Sequence, residues 1–381
     1  MRFSPTLNAA RAPLAAFAAM GIVWGSFAAE LPDLKHMLGV DEARLGLLLL
    51  LTPVAAVTSM LLAPMIGHAL GRMALPFAAV MMGLVFALPG QASAVWLFPL
   101  AMMCCGAATG LTDVLMNARV AALENERGLH LMNLTHAAYS FGYAAGAISV
   151  GVMRSAGWGP DWVMGTVALV AALVAFGTLE KDGAIHGLQR PKGVGAAHLG
   201  WIPVIGGGII LIAFLTENAA ENWSALHIEQ TLGGSPAEGA MGPAAIAMTM
   251  GFARLAGQGV AGRIGEYRLL AGGAMVASIG ALTAAAAVSP AMAYAGFIVM
   301  GIGAALISPT AFSLVGRLAR PEARARAVAR ATLLGYFGYF FGPPIVGIIA
   351  GAFGLRYAFV FAAAMLLVIL ILAPLMARQR A

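Results

Sequence analysis

The sequence predicts an all-α membrane protein with twelve transmembrane helices, arranged as two similar six-helix bundles. Three observations support this prediction: the composition, the length of the apolar runs and an internal repeat. Of the 381 residues, 61% are hydrophobic and 10% are charged, whereas a soluble globular protein carries about 25% charged residues. So few charges cannot cover the surface of a soluble protein, and the same composition excludes intrinsic disorder. The apolar runs have the length of membrane-spanning helices and lack the alternation of barrel strands.

Polar or Gly- and Pro-containing breaks divide the apolar runs into twelve predicted helices. Their approximate ranges are 12–32, 43–66, 74–92, 95–122, 131–153, 160–178, 200–224, 241–262, 269–288, 291–316, 325–350 and 356–377. The first run is long enough to span a bilayer, so we interpret it as a retained helix and not as a cleaved signal. The two cysteines, Cys104 and Cys105, are adjacent within an apolar run, which excludes a disulfide framework.

The distribution of Lys and Arg predicts the orientation. With the N-terminus in the cytoplasm, 18 of the 22 basic residues, Arg254 among them, fall in cytoplasmic segments. The other 4 fall outside: Lys35, Arg44, Arg154 and Arg356. This asymmetry follows the positive-inside rule, so both termini are predicted to be cytoplasmic. It also explains the net charge of +6 better than a nucleic-acid partner does.

One long polar connection separates the chain into two halves. It covers residues 179–199, between predicted helices 6 and 7. We therefore predict an N-terminal six-helix bundle at 1–178, a cytoplasmic linker at 179–199 and a C-terminal six-helix bundle at 200–381.

The two halves resemble each other in sequence. Ala28-Ala29-Glu30 near the end of helix 1 recurs as Ala219-Ala220-Glu221 in helix 7, at an offset of 191. Phe141-Gly142-Tyr143 in helix 5 recurs as Phe337-Gly338-Tyr339 in helix 11, at an offset of 196. Both copies of the second segment continue with glycines at the same spacing: Gly146 and Gly151, then Gly342 and Gly347. Nearly equal offsets in corresponding helices indicate duplication of a six-helix unit, and the small residues allow helices to approach closely.

Duplicated six-helix halves resemble the major facilitator superfamily. The segment Gly67-His68-Ala69-Leu70-Gly71-Arg72 is similar to a decayed copy of that family's loop motif, G-x-x-x-D-R-x-G-R. A closer copy follows helix 8, with Arg254 and Gly257 and then Gly262-Arg263-Ile264-Gly265 and Arg268. The motif's acid is missing from both copies. The resemblance implies a binding site near the bilayer midplane, between halves that rock to give alternating access.

Three further segments resemble the fucose permease group and uncharacterised bacterial members near it. Gly110-Leu111-Thr112-Asp113, followed by Asn117, is similar to the group's helix-4 segment with an acid and a later Asn. Residues 135–142, which end in Ser140-Phe141-Gly142, are similar to its helix-5 segment. Glu217 with residues 221–226 is similar to the pattern E-G-x-x-x-D-W-S-A, and Gly342-Pro343-Pro344 also fits.

Four acids within or next to the spans are candidates for proton coupling: Asp113, Glu217, Glu30 and Glu221. An ionisable group within a membrane span is costly and indicates function. Asp113 is the first choice, because Asn117 lies one turn later and the resemblance implies a proton-coupling role. The alternative is an acid that fixes helix packing, for example with Arg119. Glu30 and Glu221 lie nearer the outer ends, where a solvated rim or a gate is an equal interpretation.

A second set of residues is predicted to bind the solute. Glu217, Glu221, Asn218 and Asn222 cluster in helix 7, and so many polar groups should line an aqueous cavity. The predicted solute-binding residues are Trp24, Asn117, His136, Tyr139, Asn218, Asn222, Trp223, Tyr336 and Tyr339. The alternatives are packing for His136, Trp24, Tyr336 and Tyr339, and an interfacial anchor for Trp223.

These residues predict a secondary transporter that imports a small polar organic solute, sugar- or vitamin-like, together with protons. It is expected in a bacterial-type inner membrane, as a monomer without cofactor or metal, and not as an enzyme. Two alternatives stay open. One is a proton-driven exporter of drugs or metabolites, although the helix-5 Gly-Pro pair typical of antiporters is replaced by Gly146-Ala147. The other is a membrane sensor or scaffold that transports nothing.

Overall fold

A computed structural model describes residues 10–128, 131–183, 185, 199–256, 264–320 and 323–378. Its helices correspond to the twelve predicted ones, several with an interruption. The N-terminal half contains α1 (Arg11–Leu38), α2 (Glu42–Leu49 and Leu51–Leu70), α3 (Ala74–Val85 and Leu88–Gln91), α4 (Phe98–Arg127), α5 (Met132–Ser155) and α6 (Pro160–Ala175). The C-terminal half contains α7 (Ile202–Leu226), α8 (Pro236–Ala256), α9 (Glu266–Ala285), α10 (Pro290–Ala304 and Ile307–Leu318), α11 (Arg324–Phe353) and α12 (Leu355–Ala377).

Some predicted features fall outside the described residues. These are 257–263, which hold most of the second loop motif, and most of the predicted linker. By length and hydropathy alone, nine of the described helical stretches could cross a membrane, and one of them comprises both α2 and α3. The more polar α5 and α8 are not among these nine. In α5 the polar residues include His136, and in α8 they include Arg254.

The chain separates into two compact units. The N-terminal unit contains Met1–Val40 and Leu48–Arg190, and the C-terminal unit contains Asp41–Leu47 and Pro191–Ala381. The short segment Asp41–Leu47 opens the first part of α2, and it groups with the C-terminal unit.

The internal repeat is visible in the packing of each unit. In the N-terminal unit, α1 packs most extensively on α5 and also on α6, while α4 packs on α2. The same relations hold in the C-terminal unit, where α7 packs on α11 and α12, and α10 packs on α8. Each unit is therefore the same helical arrangement built from a different copy of the sequence.

Repeated glycines lie at close helix contacts in both units. A Cβ added to Gly142 of α5 would lie 2.5 Å from the carbonyl oxygen of Ala18 in α1. A Cβ added to Gly338 of α11 would lie 2.3 Å from the carbonyl oxygen of Leu211 in α7. Only glycine allows such a close approach of two backbones, so the repeated glycines are packing residues.

Helix α1 continues beyond Pro32, the last residue of its predicted range. It runs through Pro32 to Leu38, and Gly39 caps it in the left-handed conformation with φ 63°. Proline removes one backbone donor and disturbs the preceding turn. Arg154 of α5 donates a 2.9 Å hydrogen bond to the carbonyl of Ala29 in that turn. The carbonyl that Pro32 leaves without its donor is that of Ala28, so the bond to Ala29 adds a contact from a neighbouring helix to the disturbed turn and does not replace the lost bond.

Candidate functional site

In the N-terminal unit, a polar group of residues joins α1 and α4. The indole nitrogen of Trp24 donates a 3.2 Å hydrogen bond to the hydroxyl of Thr109. One turn further along α4, Asp113 accepts a 3.1 Å hydrogen bond at its Oδ1 from the amide of Asn117. Asp113 and Asn117 are both half-buried. Their spacing of four residues places them on one face of α4, as the sequence predicts.

The predicted α5 residues extend this surface. His136 and Tyr139 are half-buried. The ring of His136 meets Phe17 of α1 edge-on at 4.9 Å, and Tyr139 lies 5.9 Å from Tyr143. Each of them thus also takes part in aromatic packing, which for His136 is the alternative role that the sequence allows. Arg119, the counter-ion that the sequence suggests for Asp113, has its Nε 2.9 Å from a carboxylate oxygen of Glu180.

In the C-terminal unit, the central feature is a group of three charged residues. A guanidinium nitrogen of Arg254 in α8 lies 3.0 Å from Oε1 of Glu217 in α7. Glu221 lies one turn further along α7 and interacts electrostatically with both Glu217 and Arg254. Glu217 is 8% exposed and Glu221 is 9% exposed, so neither is a solvated rim residue.

The charges in this group do not balance. Arg254 can neutralise one carboxylate, and within this group of described residues the other then carries either a proton or a negative charge. A buried uncompensated charge is very unfavourable. The group can therefore exist in two protonation states that differ by one charge.

Aromatic side chains surround Phe214, which lies one turn before Glu217 in α7. Phe214 stacks on Tyr339 of α11 with ring centroids 4.6 Å apart and an interplanar angle of 26°. It also lies 5.9 Å from Tyr336 and 6.4 Å from Phe312. Phe214 precedes Glu217 by three residues, so the aromatic cluster adjoins the charged group.

The remaining predicted α7 residues are mostly buried. Trp223 is fully buried, which does not fit an interfacial anchor. Its indole nitrogen has no hydrogen-bond partner among the residues that the structure describes, and neither does Oδ1 of Asn218. Asn218 is half-buried and Asn222 is 7% exposed. Trp223 and Asn218 thus retain hydrogen-bonding capacity on the helix that also carries Glu217 and Glu221.

Glu30 is more deeply buried than the other three candidate acids. It is fully buried, and its Oε2 lies 3.9 Å from Nε of Arg154 in α5. Arg154 makes its shorter contacts to Asp33, at 2.9 and 2.7 Å. The solvated-rim interpretation of Glu30 is therefore wrong, as it is for Glu221.

Arg254 is the main residue that sequence reasoning missed. By its position in the sequence it counts among the cytoplasmic charges, whereas its guanidinium binds Glu217. It lies within the predicted helix 8, and this position could have identified it as an internal counter-ion. Phe214, Thr109 and Asp33 were also missed, because an apolar run, a lone Thr and a surface acid carry no distinctive pattern.

Comparisons with known proteins show the family. A family model described as Major Facilitator Superfamily matches residues 207–381. An uncharacterized MFS-type transporter of Yersinia pestis is 30% identical over 361 residues, covering 93% of this chain and 92% of the relative. The chain belongs to the major facilitator superfamily. It is therefore a multi-pass membrane transporter and not an enzyme.

Other relatives agree with this assignment. Membrane protein MosC of Rhizobium meliloti is 30% identical over 348 residues, covering 90% of this chain and 83% of the relative. A solved structure of a bacterial homolog of the human lysosomal transporter Spinster has a TM-score of 0.76 at 15% identity, covering 99% of this chain and 98% of that one. A structure of the nucleoside transporter NupG (D323A mutant) has a TM-score of 0.74 at 12% identity, with coverage of 96% and 98%. These two structures establish the major facilitator fold.

Proposed function

We propose that this major facilitator protein imports a small polar organic solute, sugar- or vitamin-like, together with protons. The observation that carries the proposal is the sharing of Arg254 by two buried carboxylates, Glu217 and Glu221. Such a group changes its net charge when it takes up one proton, and a carrier needs a change of this kind to couple a proton to a conformational step. In this proposal both termini lie in the cytoplasm, on the inner side of a bacterial-type inner membrane, as the distribution of Lys and Arg predicts.

The N-terminal unit supplies a second titratable position in this proposal. Asp113 has an amide donor from Asn117 on its own helix and is half-buried. The resemblance of this segment to the fucose permease group supports a proton-coupling role for Asp113. Glu217 and Glu221 then carry the matching function in the C-terminal unit.

The proposed solute-binding residues combine aromatic rings with amide groups. Tyr336, Tyr339 and Phe214 form a ring cluster in the C-terminal unit. Trp24, His136 and Tyr139 provide rings in the N-terminal unit, and Asn117, Asn218 and Asn222 provide amides. A site with apolar ring faces and a few placed polar groups suits a small solute that has both an apolar face and hydroxyl or amide groups.

A thermal-shift screen of the purified protein tests this function. The panel contains sugars including fucose, flavins, nucleosides, amino acids and hydrophobic cations, each at about pH 6 and about pH 8. A ligand at a hundredfold excess over its dissociation constant stabilises the folded state by about 2.7 kcal/mol. We expect a pH-dependent stabilisation by a sugar or vitamin. A response to hydrophobic cations alone would support export, and no response from the whole panel would support a sensor or scaffold.

A further inference from the structure

We infer that the C-terminal unit binds the headgroup of an anionic phospholipid at the membrane surface where α7 begins. The binding surface is a group of exposed arginines, here called the arginine patch: Arg268, Arg317, Arg320, Arg324 and Arg378. The inference goes beyond the proposed function and does not rest on it, because it concerns neither the transported solute nor the coupled proton.

Helices α9, α10 and α11 bring three of these arginines to one end of the unit. Arg268 lies in the first turn of α9, two residues after Glu266. Glu266 forms an ion pair with Arg317, which lies in the last turn of α10. A Cβ added to Gly316 of α10 would lie 3.9 Å from Cγ of Arg324, the first residue of α11. The start of α9, the end of α10 and the start of α11 therefore meet.

The start of α7 and the end of α12 lie at this same end of the unit. A Cβ added to Gly206, near the start of α7, would contact Val315 in the last turn of α10 and Met376 in the last turn of α12. Arg378 directly follows α12, and Arg320 follows α10 by two residues. The arginine patch thus collects side chains from the ends of four neighbouring helices.

The arginine patch is exposed and has few acids near it. Arg317 still has 53% of its side chain exposed although it binds Glu266. Glu266 is the acid that the described residues place at this end, and Glu322 of the sequence lies outside them. The corresponding end of the N-terminal unit carries four described acids: Glu124, Glu126, Glu180 and Asp182. The positive-inside rule depends on Lys and Arg and hardly on acids, so topology alone does not require this scarcity.

Apolar side chains beside the arginine patch favour a lipid over a soluble anion. Trp201, which directly precedes α7, is 66% exposed, and tryptophan is typical of the membrane interface. On α12, Ile371 is 64% exposed and Leu375 is 38% exposed. Their spacing from each other and from Arg378 places all three side chains on one face of the helix. An acyl chain can therefore lie along Ile371 and Leu375 while its headgroup reaches Arg378.

The chemistry of arginine suits the phosphate of such a headgroup. A guanidinium can donate two parallel hydrogen bonds to phosphate oxygens and is always charged. Clusters of basic residues next to membrane helices attract anionic lipids. The arginine patch combines this chemistry with a position at the ends of membrane helices.

Native mass spectrometry of the purified full-length protein in neutral detergent tests this inference. The probes are phosphatidylglycerol, which is anionic, and phosphatidylcholine, a zwitterion with the same acyl chains. We expect wild-type protein to bind phosphatidylglycerol at least about tenfold more tightly, because several arginines contribute to its binding. The preference should shrink at high ionic strength, since salt screens exposed charges.

A double variant shows whether the arginine patch is responsible. Arg320→Gln with Arg324→Gln removes two of its exposed charges. Each arginine near an anionic surface strengthens binding about fivefold, so this variant should bind phosphatidylglycerol roughly 25-fold more weakly. The matched control is Arg72→Gln with Arg127→Gln, which removes two exposed arginines from the corresponding end of the N-terminal unit. The control should bind phosphatidylglycerol as wild type does.

Three results would overturn the inference: equal binding of the two lipids by wild-type protein, equal binding of phosphatidylglycerol by the double variant and its control, and displacement of phosphatidylglycerol by an equal concentration of inorganic phosphate. The last result would indicate a site for a soluble anion. Arg320→Lys with Arg324→Lys keeps both charges and should retain most of the binding. A thermal melt without lipid checks that each variant is folded, and the comparison of the two lipids needs wild-type protein alone.

Discussion

Replacing Arg254 with glutamine is expected to cause a large loss of stability. The substitution leaves Glu217 and Glu221 without their cation in a buried position. Removing one partner of a buried ion pair typically costs about 3–5 kcal/mol, because the remaining charge stays buried and uncompensated. The measurement is the free energy of unfolding of the purified protein in detergent, from chemical denaturation, with thermal melts as a second readout.

A second variant and a matched control complete this experiment. The double variant Arg254→Gln with Glu217→Gln removes one of the two excess carboxylates and should recover much of the lost stability. The control is Arg317→Gln, because Arg317 forms an ion pair with Glu266 in which its own side chain is 53% exposed. An exposed pair contributes about 0–1 kcal/mol. If Arg254→Gln were as stable as Arg317→Gln, the three-residue charge group would have no structural importance.

Replacing Gly25 with alanine is expected to produce the largest packing defect. A Cβ at this position would lie 2.0 Å from the carbonyl oxygen of Tyr143 in α5, the shortest such approach found among the described glycines. The obstacle is backbone and cannot rotate away, so α1 and α5 must separate. Overpacking of this kind typically costs about 1–3 kcal/mol. Comparison of denaturation midpoints in detergent measures the effect.

Gly165 provides the matched control for that substitution. It also lies within a helix of the N-terminal unit, but nothing stands within 4 Å of an added Cβ. There, alanine should be neutral or should stabilise by up to about 1 kcal/mol, because glycine is a poor helix former. Equal effects of the two substitutions would show that the close approach of α1 and α5 does not limit stability.

Much of the fold was predictable because membrane helices leave strong signals in the sequence. Long apolar runs define the spans, and the major facilitator superfamily and fold inferred from the repeat and motifs are confirmed. Helix ends were less predictable. Pro32 is a helix-ending signal in water, yet α1 continues past it, and Arg154, more than a hundred residues away in sequence, donates a hydrogen bond to a carbonyl of the preceding turn. No local pattern contains that contact.

The candidate site was only partly predictable, because several of its contacts join helices that are distant in sequence. The pairing of Asp113 with Asn117 follows from their spacing on one helix, and the structure shows it. The partners of Glu217 and Glu30 come from α8 and α5, and such contacts depend on how the helices pack. Counting Arg254 as a loop charge hid its role, since an arginine near the end of a span can point either into the loop or back towards the helix bundle.

The measurement that tests the central claim most directly is solute accumulation in proteoliposomes under an imposed pH gradient. The solute is the one that stabilises the protein in the thermal-shift screen, supplied outside in radiolabelled form. With the outer solution acidic, wild-type protein should concentrate the solute inside above its equilibrium level. Glu221→Gln should still exchange labelled for unlabelled solute but should not concentrate it. The account is contradicted if wild-type protein only equilibrates the solute under the gradient, or if Glu221→Gln accumulates it as well as wild type does.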